Sequence, residues 1–103
     1  MIKFNIHGIP WRIEVLEDDE YVKRFEQLDA GVTLPGLRRI YISESELDLE
    51  TIRHEIAHAF YHMAGVQSAN IQPHDIEEIF ADIIAIHGPN ILKLSRNLFK
   101  ELS

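Results

Sequence analysis

The hydrophobic period of this chain changes from two residues to about 3.6 partway along, and this change restricts the folds open to it. Apolar and polar residues alternate over 2–6 and 11–15, on either side of a Gly-Ile-Pro break, which predicts a β-hairpin. After residue 43 the apolar residues recur at helical spacing in three successive stretches. Strands followed by helices, in 103 residues, predict one α+β domain over 1–103 with a single core.

The predicted sheet is small and antiparallel, and it consists of the hairpin and one further edge strand at 39–42. Residues 31–36, which include Pro35, are expected to form a loop. The acidic run Glu17–Glu20 is expected to open a short solvated helix that ends near Gln27. The hairpin residues expected to face the core are Ile2, Phe4, Ile6, Trp11, Ile13 and Val15.

The first of the three later helices is expected to begin at one of three capping residues and to end just before Gly65. Ser43, Ser45 and Asp48 are the candidate caps, and Ser43 with Glu46 fits a capping box. The apolar stripe of this helix is expected to consist of Ile52, Ile56, Ala59, Phe60 and Met63.

The second helix is expected to follow a polar loop at 65–73 and to end at the break HGPN, 87–90. Its apolar stripe is expected to consist of Ile76, Ile79, Phe80, Ile83 and Ile86. The last helix covers Ile91–Leu102, with Ile91, Leu94, Leu98 and Leu102 facing the core.

The first of these helices carries the motif H-E-x-x-H at residues 54–58. Helical residues four apart lie on one face about 6 Å apart, so His54 and His58 can bind one metal ion as half of a tetrahedral shell. Glu55 lies beside them, where a general base can reach a water molecule on the ion. The chain has no cysteine, so the remaining ligand must be an imidazole or a carboxylate.

A third ligand is predicted on the next helix, which carries two adjacent glutamates. Glu78 is favoured, because Asp82 lies four residues further along the same face and can accept a hydrogen bond from a ligand histidine. Glu77 has only Ala81 at the corresponding position. The alternative is that both glutamates are solvated residues of a helix surface.

The two motifs together resemble the gluzincin arrangement of zinc peptidases, in which H-E-x-x-H is followed on the next helix by E-x-x-x-D. In length and layout the chain is similar to the minimal gluzincins and to the ImmA/IrrE-type metallopeptidases of phages and mobile elements. The stretches RRIYIS and TIRHEIAHAFYH and the run Glu78–Ala85 carry this likeness, which covers roughly residues 36–86. The spacer between His58 and Glu78 is short, and no substrate-recruiting domain is recognisable, so the substrate is not implied.

The resemblance implies a zincin-like domain that hydrolyses peptide bonds with one catalytic Zn²⁺. His54, His58 and Glu78 would hold the ion, Asp82 would orient a histidine, and Glu55 would act as the base. Further residues are expected to take part in binding the substrate or its transition state. Arg39, Ile40 and Tyr41 would pair with an extended substrate at the sheet edge, and Tyr61 or His74 would donate to the oxyanion.

The charge of the chain argues against nucleic acid as a partner. It carries 17 acidic and 10 basic residues, a formal net charge of −7, and the basic residues are scattered. No apolar run is long enough to span a membrane, and the N-terminal stretch does not have the apolar core of a signal peptide. We therefore expect a cytoplasmic protein that acts on a protein or peptide substrate, with a separate recruiting protein as a further expected partner.

Two other classes of function remain open from the sequence. One is a catalytically silent or latent zincin-fold interaction protein, in which the C-terminal segment Ile91–Ser103 covers the cleft. The other is a metal-free helical partner domain in which the H-E-x-x-H motif is accidental. Metal content separates the second from the rest, and substitution of Glu55 separates the first from an active enzyme.

Overall fold

The N-terminal hairpin forms as the alternating pattern predicts. In the computed structural model, which describes residues 1–64 and 73–103, β1 (Ile2–Ile6) pairs antiparallel with β2 (Ile9–Leu16). The two turn residues, His7 and Gly8, have φ of 51° and 79°. Two successive positive φ angles are typical of the type I′ turn, whose twist matches that of the paired strands. The predicted inward residues belong to the core: Phe4, Ile6, Trp11 and Ile13 are buried, and Ile2 and Val15 are partly buried.

The sheet has four strands and is mixed, which differs from the smaller antiparallel sheet predicted. β3 (Gly31–Leu34) and β4 (Arg39–Ser43) form a second hairpin, and the strand order is β1-β2-β4-β3. β2 and β4 run parallel. The prediction of an edge strand at 39–42 was wrong, because β4 has hydrogen-bonded neighbours on both sides, and the edge strands are β1 and β3. β3 has only four residues and lies next to Gly and Pro, so its alternation of apolar and polar residues is too short to predict a strand. Its extended conformation is determined by pairing with β4.

One face of the sheet is covered by α1 (Asp18–Phe25). The prediction of a short helix here is confirmed, but the helix is not simply solvated, because one of its side chains is buried against the sheet. Tyr21 is completely buried at the centre of this contact. Because α1 lies on one face and the later helices on the other, the domain has three layers. The side chains of this smaller cluster are Leu16, Tyr21 and Tyr41, with Phe25, Val32 and Leu34 packed against them.

The opposite face is covered by α2 (Leu49–Met63), which carries the H-E-x-x-H motif. Of the candidate caps, Asp48 is the one used: its Oδ1 accepts a hydrogen bond from the Thr51 amide at 2.7 Å. Ser43 lies in β4, so the capping box with Glu46 was wrong. Gly65, the expected end of the helix, and the polar loop after it lie outside the described residues. The predicted stripe is confirmed, with Ile52, Ile56, Ala59 and Phe60 buried and Met63 partly buried.

The C-terminal part remains helical from Pro73 to Leu102, so the break predicted at 87–90 was wrong. α3 (Pro73–Asp82) passes through a π-helical turn at 83–87 into α4 (Gly88–Leu102). Pro89 has no amide hydrogen and its ring clashes with the carbonyl four residues earlier, which accounts for the wider turn before it. Ile83 of the second stripe is buried and Ile79 packs on the core, but Phe80 and Ile86 are exposed.

α4 contributes to the same core as α2. Ile91 and Leu98 are buried, and Leu94 and Leu102 pack against them, as the sequence predicts. None of the helices in the described part of the chain is long and apolar enough to cross a membrane.

The cap of α2 gives a measurable contribution to stability. Asp48→Ala removes the acceptor for the Thr51 amide, and we expect the free energy of unfolding to fall by about 1 kcal/mol. That hydrogen bond lowers the pKa of Asp48. The charged cap therefore contributes fully above the ordinary pKa of an aspartate, and this contribution is lost as the pH falls through the lowered value.

Urea denaturation of the wild type, Asp48→Ala and the control Asp48→Asn at neutral and acidic pH tests this. The asparagine variant keeps an acceptor that does not titrate, so the difference between it and the wild type should change with pH. Equal stability of Asp48→Ala and the wild type at neutral pH would contradict the role of the cap.

Candidate metal centre and groove

The two histidines of the motif converge at the surface of α2. Both are exposed, because the buried stripe lies on the other side of the helix. Their Nε2 atoms are 3.1 Å apart. Two nitrogens bound to one tetrahedral zinc ion at about 2.0–2.1 Å lie about 3.3 Å from each other. His54 and His58 therefore have the separation that two ligands of one ion require.

Glu55 is buried beside the histidine pair and is held there by the edge strand. Its Oε1 accepts a hydrogen bond from the Thr33 hydroxyl at 2.8 Å, and its Oε2 lies 3.9 Å from Nε2 of His54. A carboxylate that is 5% exposed requires such a partner, because burying an unpaired charge is costly. One oxygen is thus fixed by Thr33, and the other faces His54.

The close approach of α2 to β3 is favoured by glycine at position 31. A Cβ at Gly31 would lie 3.1 Å from Cγ of Glu55 and 3.0 Å from Cδ1 of Ile42, which is closer than ordinary contact. The amide and the hydroxyl of Ser43 both donate to the carbonyl of Ala30, at 3.0 and 3.2 Å, and hold the start of β3 in place. The strand is therefore positioned, and kept free of side chain, where Glu55 packs.

A groove of about 390 Å³ lies between the start of β3 and α2. The Ser43–Ala30 hydrogen bond marks those residues as a hydrogen-bonded pair, and such pairs alternate along an antiparallel ladder. Gly31 and Thr33 therefore direct their backbone N–H and C=O groups away from β4, towards the open edge. An extended peptide can add to such an edge as a further strand. The groove is lined by Asp29, Ala30, Gly31, Glu50, Thr51, His54 and Glu55.

The residues predicted to pair with a substrate do not lie at a free edge. Arg39, Ile40 and Tyr41 belong to β4, which is paired with β2 on one side and with β3 on the other. Ile40 and Tyr41 are also buried. The prediction that they bind substrate as an edge strand was wrong, because the β3–β4 hairpin places β3 outside them.

The acidic residues of α3 do not join the histidine pair. In the part of the chain that the structure describes, no three His, Asp or Glu side chains form a group that could hold a metal ion. Glu78 is exposed, and Asp82 lines a separate cavity of about 220 Å³ together with His7 and His87. The structure thus places His54, Glu55 and His58 together. The predicted third ligand Glu78 and its predicted partner Asp82 do not join them.

The orientation of α3 distinguishes its two glutamates. Phe80 lines a small cavity with His54, Ala57 and His58, and so marks the face of α3 that approaches the histidines. Glu77 lies three residues before Phe80, on that face, whereas Glu78 shares its face with Asp82. The spacing of four residues between Glu78 and Asp82 favours Glu78 as the third ligand. The position of Phe80 beside His54 and His58 favours Glu77.

Two further residues, Tyr61 and His62, lie in the last turn of α2. Tyr61, a predicted oxyanion donor, is partly buried with its ring against Phe80, the centroids 5.0 Å apart. The side chain of His74, the other predicted donor, lies outside the described residues. His62 follows His58 by one turn, and burial together with the neighbouring His58 lowers its pKa. It is therefore a neutral imidazole at neutral pH.

Thr33 and Gly31 are site residues that sequence reasoning missed. The segment reads as a loop because Gly31 and Pro35 flank it, although Val32 and Leu34 alternate with Thr33 in the manner of a strand. The hydrogen bond from Thr33 to Glu55 joins two residues that are 22 positions apart in the chain. No local pattern encodes a contact of that range, and only the alternation of the strand was available as a signal.

Neither known protein families, nor curated proteins, nor solved structures match this chain. The interpretation of the site therefore depends on the H-E-x-x-H motif and on the geometry described above.

The hydrogen bond that holds Glu55 can be tested independently of function. Thr33→Val keeps the shape of the side chain and removes the donor, so the buried carboxylate loses its partner. We expect the free energy of unfolding to fall by about 1.5–3 kcal/mol, the usual contribution of a hydrogen bond to a charged group. Thr33→Ser keeps the hydroxyl and serves as the control. If urea denaturation finds the valine and serine variants equally stable, the contact does not stabilise the fold.

Proposed function

We propose that this chain is a zinc-dependent endopeptidase of the zincin type, similar to the minimal gluzincins. The observation that carries the proposal is the position of Glu55. It lies between two histidines at ligand spacing and a groove bordered by an open strand edge. A metal pair, a fixed carboxylate and a place for an extended chain are what metal-assisted hydrolysis of a peptide requires.

His54 and His58 would hold the zinc ion, and a carboxylate of α3, Glu78 or Glu77, would complete the set of protein ligands. The donors fit this metal, because imidazole and carboxylate are its usual ligands where thiolates are absent. When bound, zinc supplies a Lewis acid and lowers the pKa of the water molecule that attacks the peptide carbonyl. Asp82 remains the proposed partner that orients a histidine.

Glu55 would act as the general base. Thr33 holds one carboxylate oxygen, so the other has a defined position 3.9 Å from Nε2 of His54. A base held in this way takes the proton of the attacking water and transfers it to the leaving amine. Its burial excludes bulk solvent, which strengthens its electrostatic effect on neighbouring groups.

The substrate would be an extended segment of a protein or peptide. Backbone groups of Gly31 and Thr33 can pair with its main chain, so recognition by strand addition places few demands on sequence. Tyr61 is the proposed donor to the oxyanion among the described side chains. A cytoplasmic location and a separate recruiting protein belong to the same proposal, since so small a domain presents little further surface for selecting a substrate.

The alternative of a latent protein closed by its C-terminal segment has less support. α4 packs in the core against α2 and β1, and none of the residues that line the groove belongs to it. The start of α4 does approach the histidines, because Gly88, Ile91 and Leu92 line a second cavity of about 450 Å³ with His54. In the alternative of a metal-free helical domain, the 3.1 Å approach of the two Nε2 atoms is a hydrogen bond between the imidazoles, and zinc binding distinguishes this alternative from the proposed metal centre.

Glu55→Gln tests the proposed mechanism. The amide keeps the size of the side chain and cannot act as a base, so proteolysis of an unfolded protein substrate should fall by about 10²–10⁴-fold. Zinc content and thermal stability should be retained. Glu101→Gln, which changes an exposed carboxylate of α4 outside the groove, is the control and should remain active. A glutamine variant as active as the wild type excludes this mechanism, and zinc-loaded wild type without activity favours the interaction protein.

Zinc binding tests the proposed ligands. His54→Ala and His58→Ala should each weaken binding by more than about 100-fold, the upper range for loss of a partner outside the coordination shell. His62→Ala, one turn further along α2, should bind zinc as the wild type does. Titration calorimetry on Glu77→Gln and Glu78→Gln identifies the third ligand as the one whose loss has the larger effect. Wild type that binds no zinc at micromolar concentration rules out the site.

A further inference from the structure

Four of the ten Lys and Arg residues of this acidic chain line one cavity of about 400 Å³. Among the described residues, its lining contains no acidic side chain. Within residues 1–64 and 73–103, no carboxylate lies within 4.0 Å of any of these four cations. The cations are Lys3, Arg12, Arg38 and Arg39, and the other lining residues are Pro10, Trp11 and Leu37.

Three of the cations form a row across the sheet. Lys3 on β1 lies directly opposite Arg12 on β2, and Arg12 lies directly opposite Arg39 on β4. The row crosses two interstrand spacings, about 10 Å. Like charges at directly opposite positions destabilise a sheet, and here there are two such pairs in succession. Their repulsion is relieved when an anion lies among them.

The fourth cation is held at the cavity by a strained backbone. Arg38 has φ of 52°, a left-handed conformation that is uncommon for a residue with a long side chain. Its carbonyl accepts a hydrogen bond from the Arg12 amide at 3.0 Å, which ties the turn before β4 to β2. Residues of this conformation are enriched at ligand sites, where the surrounding structure maintains them.

We propose that this cationic cavity binds a small molecule that carries phosphate groups. Guanidinium groups present two parallel donors that match phosphate oxygens, and three of the four cations are arginines. The strands hold the backbone positions of the row, and the volume lies within the range of about 300–1,000 Å³ usual for small-molecule sites. Leu37 is 64% exposed at this cavity and offers apolar contact to the organic part of a phosphate ester.

The charge of the remaining chain favours a compact ligand over a nucleic acid. The rest of the chain carries six Lys and Arg residues against 17 acidic residues. A polyanion that extends beyond the cavity is therefore repelled by a negatively charged surface. A ligand confined to the cavity avoids this repulsion. Its phosphate can be inorganic or part of an ester such as a nucleotide, and both present the same chemistry to the arginines.

Titration calorimetry and thermal unfolding with pyrophosphate, AMP and ATP at low ionic strength test the proposal. We expect millimolar pyrophosphate or ATP to raise the unfolding temperature of the wild type. Arg12→Gln removes the centre of the row and should weaken binding by at least about tenfold. Without ligand, the same variant should be as stable as the wild type or more stable, because it removes two repulsive pairs; a merely structural arginine would lower stability. Lys23→Gln, with the same charge change on the exposed side of α1, is the control and should bind normally.

The double variant His54→Ala/His58→Ala should bind these phosphates as the wild type does, which separates the cationic cavity from the proposed metal centre. Binding of pyrophosphate alone, or of AMP and ATP more tightly, supports the site and identifies its ligand as free phosphate or as an ester. The proposal is overturned if none of the three probes binds, or if Arg12→Gln binds them like the wild type. Tighter binding of a single-stranded oligonucleotide than of ATP overturns it in favour of a polymer.

Discussion

The packing of α2 on the sheet is the interaction on which the rest of the structure depends. Ile52, Ile56 and Ala59 are completely buried in the same cluster as Ile13 and Ile40 of the central strands. Each buried isoleucine contributes about 1.5–3 kcal/mol, so the stripe as a whole contributes more than the single hydrogen bond from Thr33 to Glu55. Once this stripe faces the sheet, helical geometry directs the motif histidines to the surface and turns Glu55 towards the edge of the sheet. The candidate metal centre therefore follows from the core.

The second hairpin then determines what surrounds that centre. Because β4 pairs with β2 and with β3, the edge of the sheet on this side belongs to β3, whose Thr33 contacts Glu55 directly. α1 stabilises this arrangement from the other face with Tyr21. Burial, with Asp29 and Glu55 nearby, raises the pKa of Tyr21 to about 12, so its hydroxyl stays neutral. The edge strand thus contacts both outer layers of the fold.

The charges of the chain are distributed unevenly between its two candidate sites. In the part of the chain that the structure describes, the groove beside the histidines is lined by carboxylates without Lys or Arg, whereas the cationic cavity is lined by Lys and Arg without a carboxylate. The net charge of −7 for the whole chain therefore does not give the local charge of either the groove or the cationic cavity. Net charge governs long-range attraction, but binding depends on the local field, and strand register set that field at the cavity by aligning three cations.

Local periodicity in the sequence was sufficient for the α+β class, the first hairpin, the stripe of α2 and the approach of His54 and His58, because each depends on residues a few positions apart. Local periodicity was not sufficient where the contacts are distant in sequence. It predicted a loop for β3, which is a strand because it pairs with β4. It also predicted that the helix ends at Pro89, where packing of the helices keeps the chain helical through a π turn. The Thr33–Glu55 bond and the row from Lys3 to Arg39 likewise need strands brought together from separate parts of the chain. The sequence by itself determined which side chains are available for chemistry and which helix carries them. The tertiary structure alone decided their neighbours, because strand order and register depend on long-range pairing that no short pattern contains.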